Sequence, residues 1–398
     1  MSAPFQIEIS LNRDVVPAGR EAELFLMVKA APTREVATVV RTHRRRVHMA
    51  FVVDSSGSMC GEKLETAKEA ILRRYRSDLE DEDMLSLIIF SDFAQVVVAA
   101  ATKKGGDDVE AKVKSAQCGG LTNLYEGIEK AVGILSETPP GYLRVMVVAT
   151  DGMPTTGVTD PDRIVGLVKR AREDHSITTF VYGIGSDYDL KLCDEMAKAG
   201  GGAMKHASKP QELEGLTQVL TSTIKGAVAP RLALDLRPEA GVELTEAVLL
   251  APRLMPLEPA KRPWDVGMVT SHDVVIATFK LRVGARAEGR QRIAAVTLGA
   301  VTKDVEVQSA REAPFIEARP DARLYHVVGV RVANIVEKVK NGLDAADEYR
   351  LLDSLLSSPE ASDLMVKDPF FARLINSIHR TRVADERTKV DVLTRSLK

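Results

Sequence analysis

The chain has 398 residues, 45% of them hydrophobic and 28% charged, with a net charge of -2. That length corresponds to two or three domains, and the near-neutral balance excludes a global electrostatic pull toward nucleic acid or acidic membranes. No stretch reaches the roughly 18 apolar residues of a membrane span, and the opening MSAPFQIEIS lacks the basic-then-apolar order of a secretory leader.

Four regions follow one another along the chain. Residues 1–46 read as strands, FQIEIS and ELFLMV being apolar-rich segments divided by the turn at Pro17-Ala18-Gly19. Residues 47–226 alternate buried strands with helices. MAFVVD is an apolar run ending on an acid, KLETAKEAILRRY has helical spacing, MLSLIIF is a second run, and NLYEGIEKAVGIL is helical. LRVMVVATD, ITTFVYGIG and the helices between and after them continue the pattern, with Asp160 and Pro161 opening one helix. Continuous apolar strands separated by helices predict a doubly wound, mostly parallel sheet covered on both faces. Residues 227–315 return to strands, and residues 316–398 are helical. The strands of 1–46 are too few to bury a face alone. They are expected to pair with those of 227–315 in one β-sandwich, into which the α/β region is inserted.

The three cysteines, Cys60, Cys118 and Cys193, are too few and too odd in number for a disulfide framework. They read as free thiols in a reducing cytoplasm, although Cys60 and Cys118 lie beside the oxygen-rich segments at 54–58 and 119–123, could be close in space, and leave a redox switch of that region as the alternative. The basic run Arg41, His43, Arg44, Arg45 and Arg46 lacks interleaved aromatics and reads as a solvated connector, and the acidic run from Asp78 to Asp83 reads as the exposed end of a helix and the loop after it.

The chemistry concentrates after three of the apolar strands. Asp54, Ser56 and Ser58 form a DxSxS turn directly behind MAFVV. Thr122 lies in the glycine-rich Gly119-Gly120-Leu121-Thr122-Asn123, and Asp151 follows VMVVAT. Ligands of open parallel sheets bind outside the carboxyl ends of the strands. Each segment alone has an ordinary reading as a turn or helix cap, but together they bring only oxygen donors to one place, which suits a hard divalent cation.

In this order and context the segments resemble the metal-ion-dependent adhesion site of von Willebrand factor A (VWA) domains. Phe90-Ser91-Asp92-Phe93 resembles the family's loop after its second strand, and Gly183-Ile184-Gly185-Ser186-Asp187 resembles its last strand–helix unit. The layout is similar to soluble bacterial VWA proteins and, more distantly, to inter-alpha-trypsin inhibitor heavy chains. The resemblance implies Mg²⁺, with Mn²⁺ or Ca²⁺ as alternatives. Ser56, Ser58 and Thr122 would then be direct ligands, and Asp54 and Asp151 would act largely through water. It also implies a metal-dependent protein-interaction module that takes an Asp or Glu of a partner into its coordination shell, the partner being expected in an AAA+ ATPase machine. Met59, Leu121, Asn123 and Met153, beside the ligands, are expected to line that contact. Two alternatives are a Mg²⁺-dependent hydrolase or chelatase-type subunit, and a scaffold whose metal is structural. The absence of a G-x-S-x-G elbow, of a P-loop and of a nearby histidine base favours binding over catalysis.

Overall fold

A computed structural model of the chain describes residues 4–42, 45–105, 108–313, 317–382 and 384–394. The chain opens with β1 (Phe5–Leu11), β2 (Val15–Pro17), β3 (Ala22–Pro32) and α1 (Arg34–Thr42). There follow β4 (Val47–Asp54), α2 (Glu62–Arg73), β5 (Met84–Phe90), β6 (Ala94–Ala101), α3 (Val109–Ser115), α4 (Leu124–Ser136) and β7 (Leu143–Thr150). Next come α5 (Pro161–His175), β8 (Thr178–Ile184), α6 (Leu190–Ala199), β9 (Gly201–Ala207) and α7 (Glu212–Lys225). Seven strands succeed them: β10 (Ala227–Pro238), β11 (Val242–Ala251), β12 (Met255–Pro256), β13 (Trp264–Thr270), β14 (Val275–Val283), β15 (Gly289–Leu298) and β16 (Val301–Ala310). The chain closes with α8 (Asp321–Lys340), α9 (Ala346–Leu356), α10 (Pro359–Lys367), α11 (Pro369–Thr381) and α12 (Glu386–Thr394).

These elements form two compact units, residues 39–230 and residues 1–38 with 231–398. The first holds a six-stranded sheet in the order β6-β5-β4-β7-β8-β9. β4 pairs in parallel with β5 and β7, and β8 continues the parallel set, while β6 runs antiparallel at one edge. Every residue of β4 is buried, because a parallel strand at the centre of such a sheet is covered on both sides. Residues of α2 and α7 (Ala67, Ala70, Ile71, Leu213) meet Phe51 and Val53 on one face. On the other, α4 crosses so closely that a Cβ at Gly127 would lie 2.8 Å from Phe90 and 3.1 Å from Val52. This is the doubly wound α/β architecture.

In the other unit, one sheet has the order β1-β3-β14-β11-β12 and a second β13-β10-β15-β16-β2. β3 pairs antiparallel with β14, so the chain's opening strands join those beyond residue 230. Trp264 of the second sheet meets Phe279 of the first, ring centroids 5.8 Å apart. β14 is buried at most positions of both faces, because α8 covers the side of the first sheet on which Gly329 lies against Val248 and Leu250.

One element departs from the sequence reading. Residues 34–42, expected as strand, form α1, which begins when the Ala37 amide donates to the Thr33 carbonyl at 3.0 Å. Valine and threonine favour strands only where a pleated surface awaits them, and here β3 has already ended at Pro32. Of the basic run, Arg41 keeps only its backbone description and residues 43–44 lie outside the described residues. Arg46 lies over the Tyr142 ring and 3.7 Å from Glu82.

Candidate metal centre

The central strand β4 carries Asp54 to the carboxyl edge of the sheet, where the carboxylate is fully buried. One of its oxygens accepts the Ser56 amide at 2.9 Å, the other the Thr150 hydroxyl at 2.7 Å. Burial raises the Asp54 carboxyl above the ordinary carboxylate range, opposed by the hydrogen bonds from Thr150 and Ser56. Asp54 therefore fixes the turn that follows it. That turn is also tied to its neighbours, since the Ser55 amide donates to Phe90 at 2.8 Å and Gly119 donates to the Ser55 carbonyl at 2.8 Å. Gly57 in turn donates to the Gly120 carbonyl at 3.1 Å.

The hydroxyls of Ser56 and Ser58 share a hydrogen bond of 3.1 Å, and Ser58 donates to Oδ1 of Asp151 at 2.8 Å. Asp151 follows β7 and its side chain is 0% exposed. Thr122 enters from the third loop, held by its amide on the Thr155 hydroxyl at 2.9 Å and by its carbonyl accepting the Thr155 amide at 3.0 Å. A Cβ at Gly152 would lie 3.9 Å from the Thr122 hydroxyl and 4.0 Å from that of Ser58, which places both at one glycine-floored position. The five oxygen-bearing residues read from the sequence thus lie on three loops joined to one another by hydrogen bonds. Among the described residues no His, Cys, Asp and Glu side chains group as a metal site; this centre is built on hydroxyls. Hydroxyls and carboxylates without nitrogen or sulfur suit a hard divalent ion that retains water, so the residues present fit such an ion.

The four residues expected to line a partner contact divide. Leu121 and Met153 are 51% and 59% exposed. Met59 is completely buried, because the short 3₁₀ turn Gly57–Met59 points its side chain into the core. Asn123 is also buried: its side chain caps α4, accepting the Glu126 amide, and donates to the Asp92 carbonyl at 3.1 Å. Neither lines an outside contact. The sequence reading also missed three residues. Thr150 holds Asp54, Lys63 forms an ion pair with Asp151, and Phe93 stands 78% exposed between β5 and β6. Thr150 had a signal, a hydroxyl one position ahead of an acid at a strand end. Lys63 had a weaker one, a cation in the first turn of a helix.

The cysteine reading is also corrected. Cys60 and Cys118 form a disulfide with Cα atoms 5.4 Å apart, and Cys193 is buried and takes no part in it. The backbone bonds between residues 55–57 and 119–120 already bring the two loops together, which puts the thiols in range. The bond therefore links the DxSxS loop covalently to the loop of Thr122. No helix among the described residues is long and apolar enough to cross a membrane.

Comparison with known proteins gives three findings. Residues 48–220 match the family model of the von Willebrand factor type A domain. Inter-alpha-trypsin inhibitor heavy chain H3 of Homo sapiens is 25% identical over 208 residues, 50% of this chain and 23% of that one. Heavy chain H4 of Bos taurus is 31% identical over 162 residues, 38% of this chain and 17% of its own length. The chain thus spans less than a quarter of these relatives. Among solved structures, a von Willebrand factor type A protein from Catenulispora acidiphila superposes with a TM-score of 0.73 at 18% identity, covering 99% of this chain and 97% of that one. The ArnB paralog VWA2 from Sulfolobus acidocaldarius does so with a TM-score of 0.64 at 16% identity, covering 99% and 98%. At these identities the likeness concerns the fold, and it extends over the sandwich and the helical tail as well.

Proposed function

We propose, since residues 48–220 are a von Willebrand factor type A domain, that its metal face binds Mg²⁺ and through it captures an acidic side chain of a partner protein. Ser56, Ser58 and Thr122 would hold the ion directly, with Asp54 and Asp151 orienting them and balancing its charge. The ion supplies an open coordination position for an outside oxygen. The observation that carries the proposal is the convergence of the Ser56–Ser58–Asp151 hydrogen bonds with the Thr122 hydroxyl over Gly152.

The surroundings support a protein as the occupant. Among the described residues of the α/β unit, the large exposed apolar side chains are Phe93, Val96, Leu121 and Met153. Leu121 and Met153 stand on loops that build the centre, Phe93 on the β5–β6 loop that Asp92 ties to the Leu121 amide, and Val96 on the strand leaving that loop. Such residues scattered singly mean little, but gathered on one face they mark an interaction surface. Beside Phe93, a groove of about 230 Å³ lined by Ser55, Ser91, Gln95 and Gln117 offers room for a neighbouring side chain of the partner. Binding is favoured over hydrolysis because the side chains bonded to the two carboxylates, Ser56, Ser58, Thr150 and Lys63, include no imidazole to serve as general base.

Calorimetric titration of Mg²⁺ tests the first half. Wild type is expected to bind one ion and Asp54→Ala/Ser56→Ala none; equal binding by both removes the metal from this site. Retention of a partner from lysate by wild type with Mg²⁺, lost both with EDTA and in the double variant, tests the second half. Turnover of a generic phosphoester that disappears in Asp54→Ala would replace the reading with a hydrolytic one.

A further inference from the structure

Lys63 stands in the first turn of α2, next to the Gly61 cap, which offers no side-chain acceptor. The N-terminus of a helix carries partial positive charge and favours acids, so a lysine there is locally disfavoured. The side chain does not escape into water on the outer face of the helix. Its ammonium pairs with Oδ2 of Asp151, a carboxylate with no exposed surface, while Lys63 itself is 30% exposed. The other oxygen of Asp151 holds Ser58. The turn at Gly185 closes the far side, where a Cβ would lie 4.0 Å from the ammonium nitrogen. A cation is thus built into the wall of the metal centre.

We infer that Lys63 sets the charge of the metal face, so that the loaded centre is net positive and selects an anionic group as its outside ligand. The inference rests on the metal-dependent capture proposed above and names the residue that makes the capture selective for acids. Asp54 and Asp151 bring two negative charges and Lys63 one positive charge, leaving the metal-free centre with one negative charge in excess. A divalent ion reverses this to one positive charge in excess. Without Lys63 the same ion would bring these groups only to neutrality, and the net electrostatic preference for a carboxylate over water would be weakened. At such short range, in surroundings less polar than water, one unit of charge outweighs most single hydrogen bonds. Two consequences of opposite sign follow. Lys63 weakens binding of the metal itself, by repulsion and by occupying an oxygen of Asp151. It also strengthens binding of a carboxylate to the loaded centre. A merely structural lysine, needed to hold Asp151 in place, would strengthen both.

The test is calorimetric titration of Mn²⁺ into wild type, Lys63→Met and Lys63→Arg, each in chloride and in acetate at equal ionic strength. Acetate is the carboxylate probe. Coupling between ion and anion is reciprocal, so acetate should tighten the apparent affinity of wild type for Mn²⁺. Lys63→Met is expected to bind Mn²⁺ at least about tenfold more tightly in chloride and to lose the tightening by acetate. Lys63→Arg, which keeps the charge, should retain it. Thermal unfolding without metal checks that each variant is folded, and Lys63→Gln replaces Lys63→Met if that variant is not. The inference is overturned if the charge-removing variant binds Mn²⁺ as wild type does, or more weakly, or keeps the acetate effect. In those cases capture by the metal face still stands. If wild type binds no Mn²⁺, or binds it without any acetate effect, the capture reading itself fails and takes this inference with it.

Discussion

Lys29–Asp368 and Lys63–Asp151 are both lysine–aspartate pairs whose carboxylate also takes a hydroxyl, and their surroundings differ. In the sandwich unit, Oδ2 of Asp368 accepts Lys29 at 2.7 Å and the Tyr325 hydroxyl at 2.9 Å, while Oδ1 caps α11 by accepting the amides of Phe370 and Phe371 at 2.9 and 3.2 Å. Lys29 also lies over the Tyr325 ring, which packs edge-on against Phe371. Burial alone would raise the Asp368 carboxyl, but the Lys29 bond and charge, with Tyr325, hold it below the ordinary carboxylate range. Every lobe of that carboxylate is used. In the α/β unit, Asp151 has Ser58 and Lys63 and stands among hydroxyls at the edge of the sheet. A carboxylate satisfied by its own chain is structure; one left with capacity among other oxygens is a site. The two pairs would prove alike if the first bound an ion, or if the second mattered mainly to stability.

The largest expected effect lies in the clamp behind the second pair. The Cys60–Cys118 bond closes a loop of 58 residues in sequence separation. By the loop-entropy argument, Cys60→Ser/Cys118→Ser should cost the α/β unit up to about 4 kcal/mol. Scanning calorimetry should register this in one transition and leave the sandwich transition unmoved. A shift in both would mean that the units do not unfold separately. Next comes Asp368→Ala, which strands Lys29 and Tyr325 and uncaps α11. A cap and a half-buried ion pair together suggest a loss of about 3 kcal/mol, expected in the other transition and not restored by any divalent ion.

His48 extends the same contrast along a single strand. It lies at the opposite end of β4 from Asp54, with its two ring nitrogens on Thr138 at 2.7 Å and Ser86 at 2.9 Å. Burial first, and the Arg144 charge second, lower its pKa from 6.5 to about 4. The folded state therefore binds this proton more weakly than the unfolded chain. The stabilisation is complete above pH 6.5 and falls as the pH drops toward 4, by about 3 kcal/mol in all. Denaturant unfolding of His48→Gln should show that slope flattened. An unchanged slope would show that the ring is not held neutral.

The sequence made one side of this contrast far more legible than the other. Asp54, Ser56, Ser58, Thr122 and Asp151 stood out because strand ends are marked by apolar runs and the donors follow within a few positions. Lys63 stood out far less, since a cation in the first turn of a helix is a weak local signal and its partner is 88 positions away. Met59 and Asn123 were misread because adjacency to a ligand says nothing about direction. A 3₁₀ turn rotates one inward, and a helix cap engages the other. The cysteines could be seen to lie near two site loops, but the bond depends on backbone contacts between residues 55–57 and 119–120. The α/β fold was readable from continuous apolar strands. The helix at 34–42 was not, because its valines and threonines suit a strand equally well. The Asp368 knot gave no signal at all, as its members come from β3, α8 and the N-cap of α11.

Metal should act on one pair only. At a concentration 100 times its dissociation constant, an ion that binds the folded state alone adds about 2.7 kcal/mol of stability. Wild type and Asp368→Ala should both show that gain in the α/β transition, and Asp151→Ala should not. If Asp151→Ala gained as much as wild type, the hydroxyls alone would hold the ion and Asp151 would rank with Asp368 as structure.

The smallest effect on stability belongs to the residue expected to matter most to a partner. Phe93 is 78% exposed, so Phe93→Ser removes little buried surface and should change stability by less than about 0.5 kcal/mol. It should leave Mg²⁺ affinity unchanged, because Phe93 donates nothing to the ion. A partner seated across the metal face would nevertheless cover the ring, and truncating a large aromatic at such a position commonly costs more than about 1 kcal/mol of binding. The expected pattern is therefore normal folding, normal metal binding and a loss of capture of at least about fivefold, measured on the partner retained with Mg²⁺. Loss of metal affinity in this variant would mean that the loop after β5 shapes the ion site itself. Undiminished capture would mean that the partner leaves Phe93 uncovered and would make Leu121 and Met153 the residues to test.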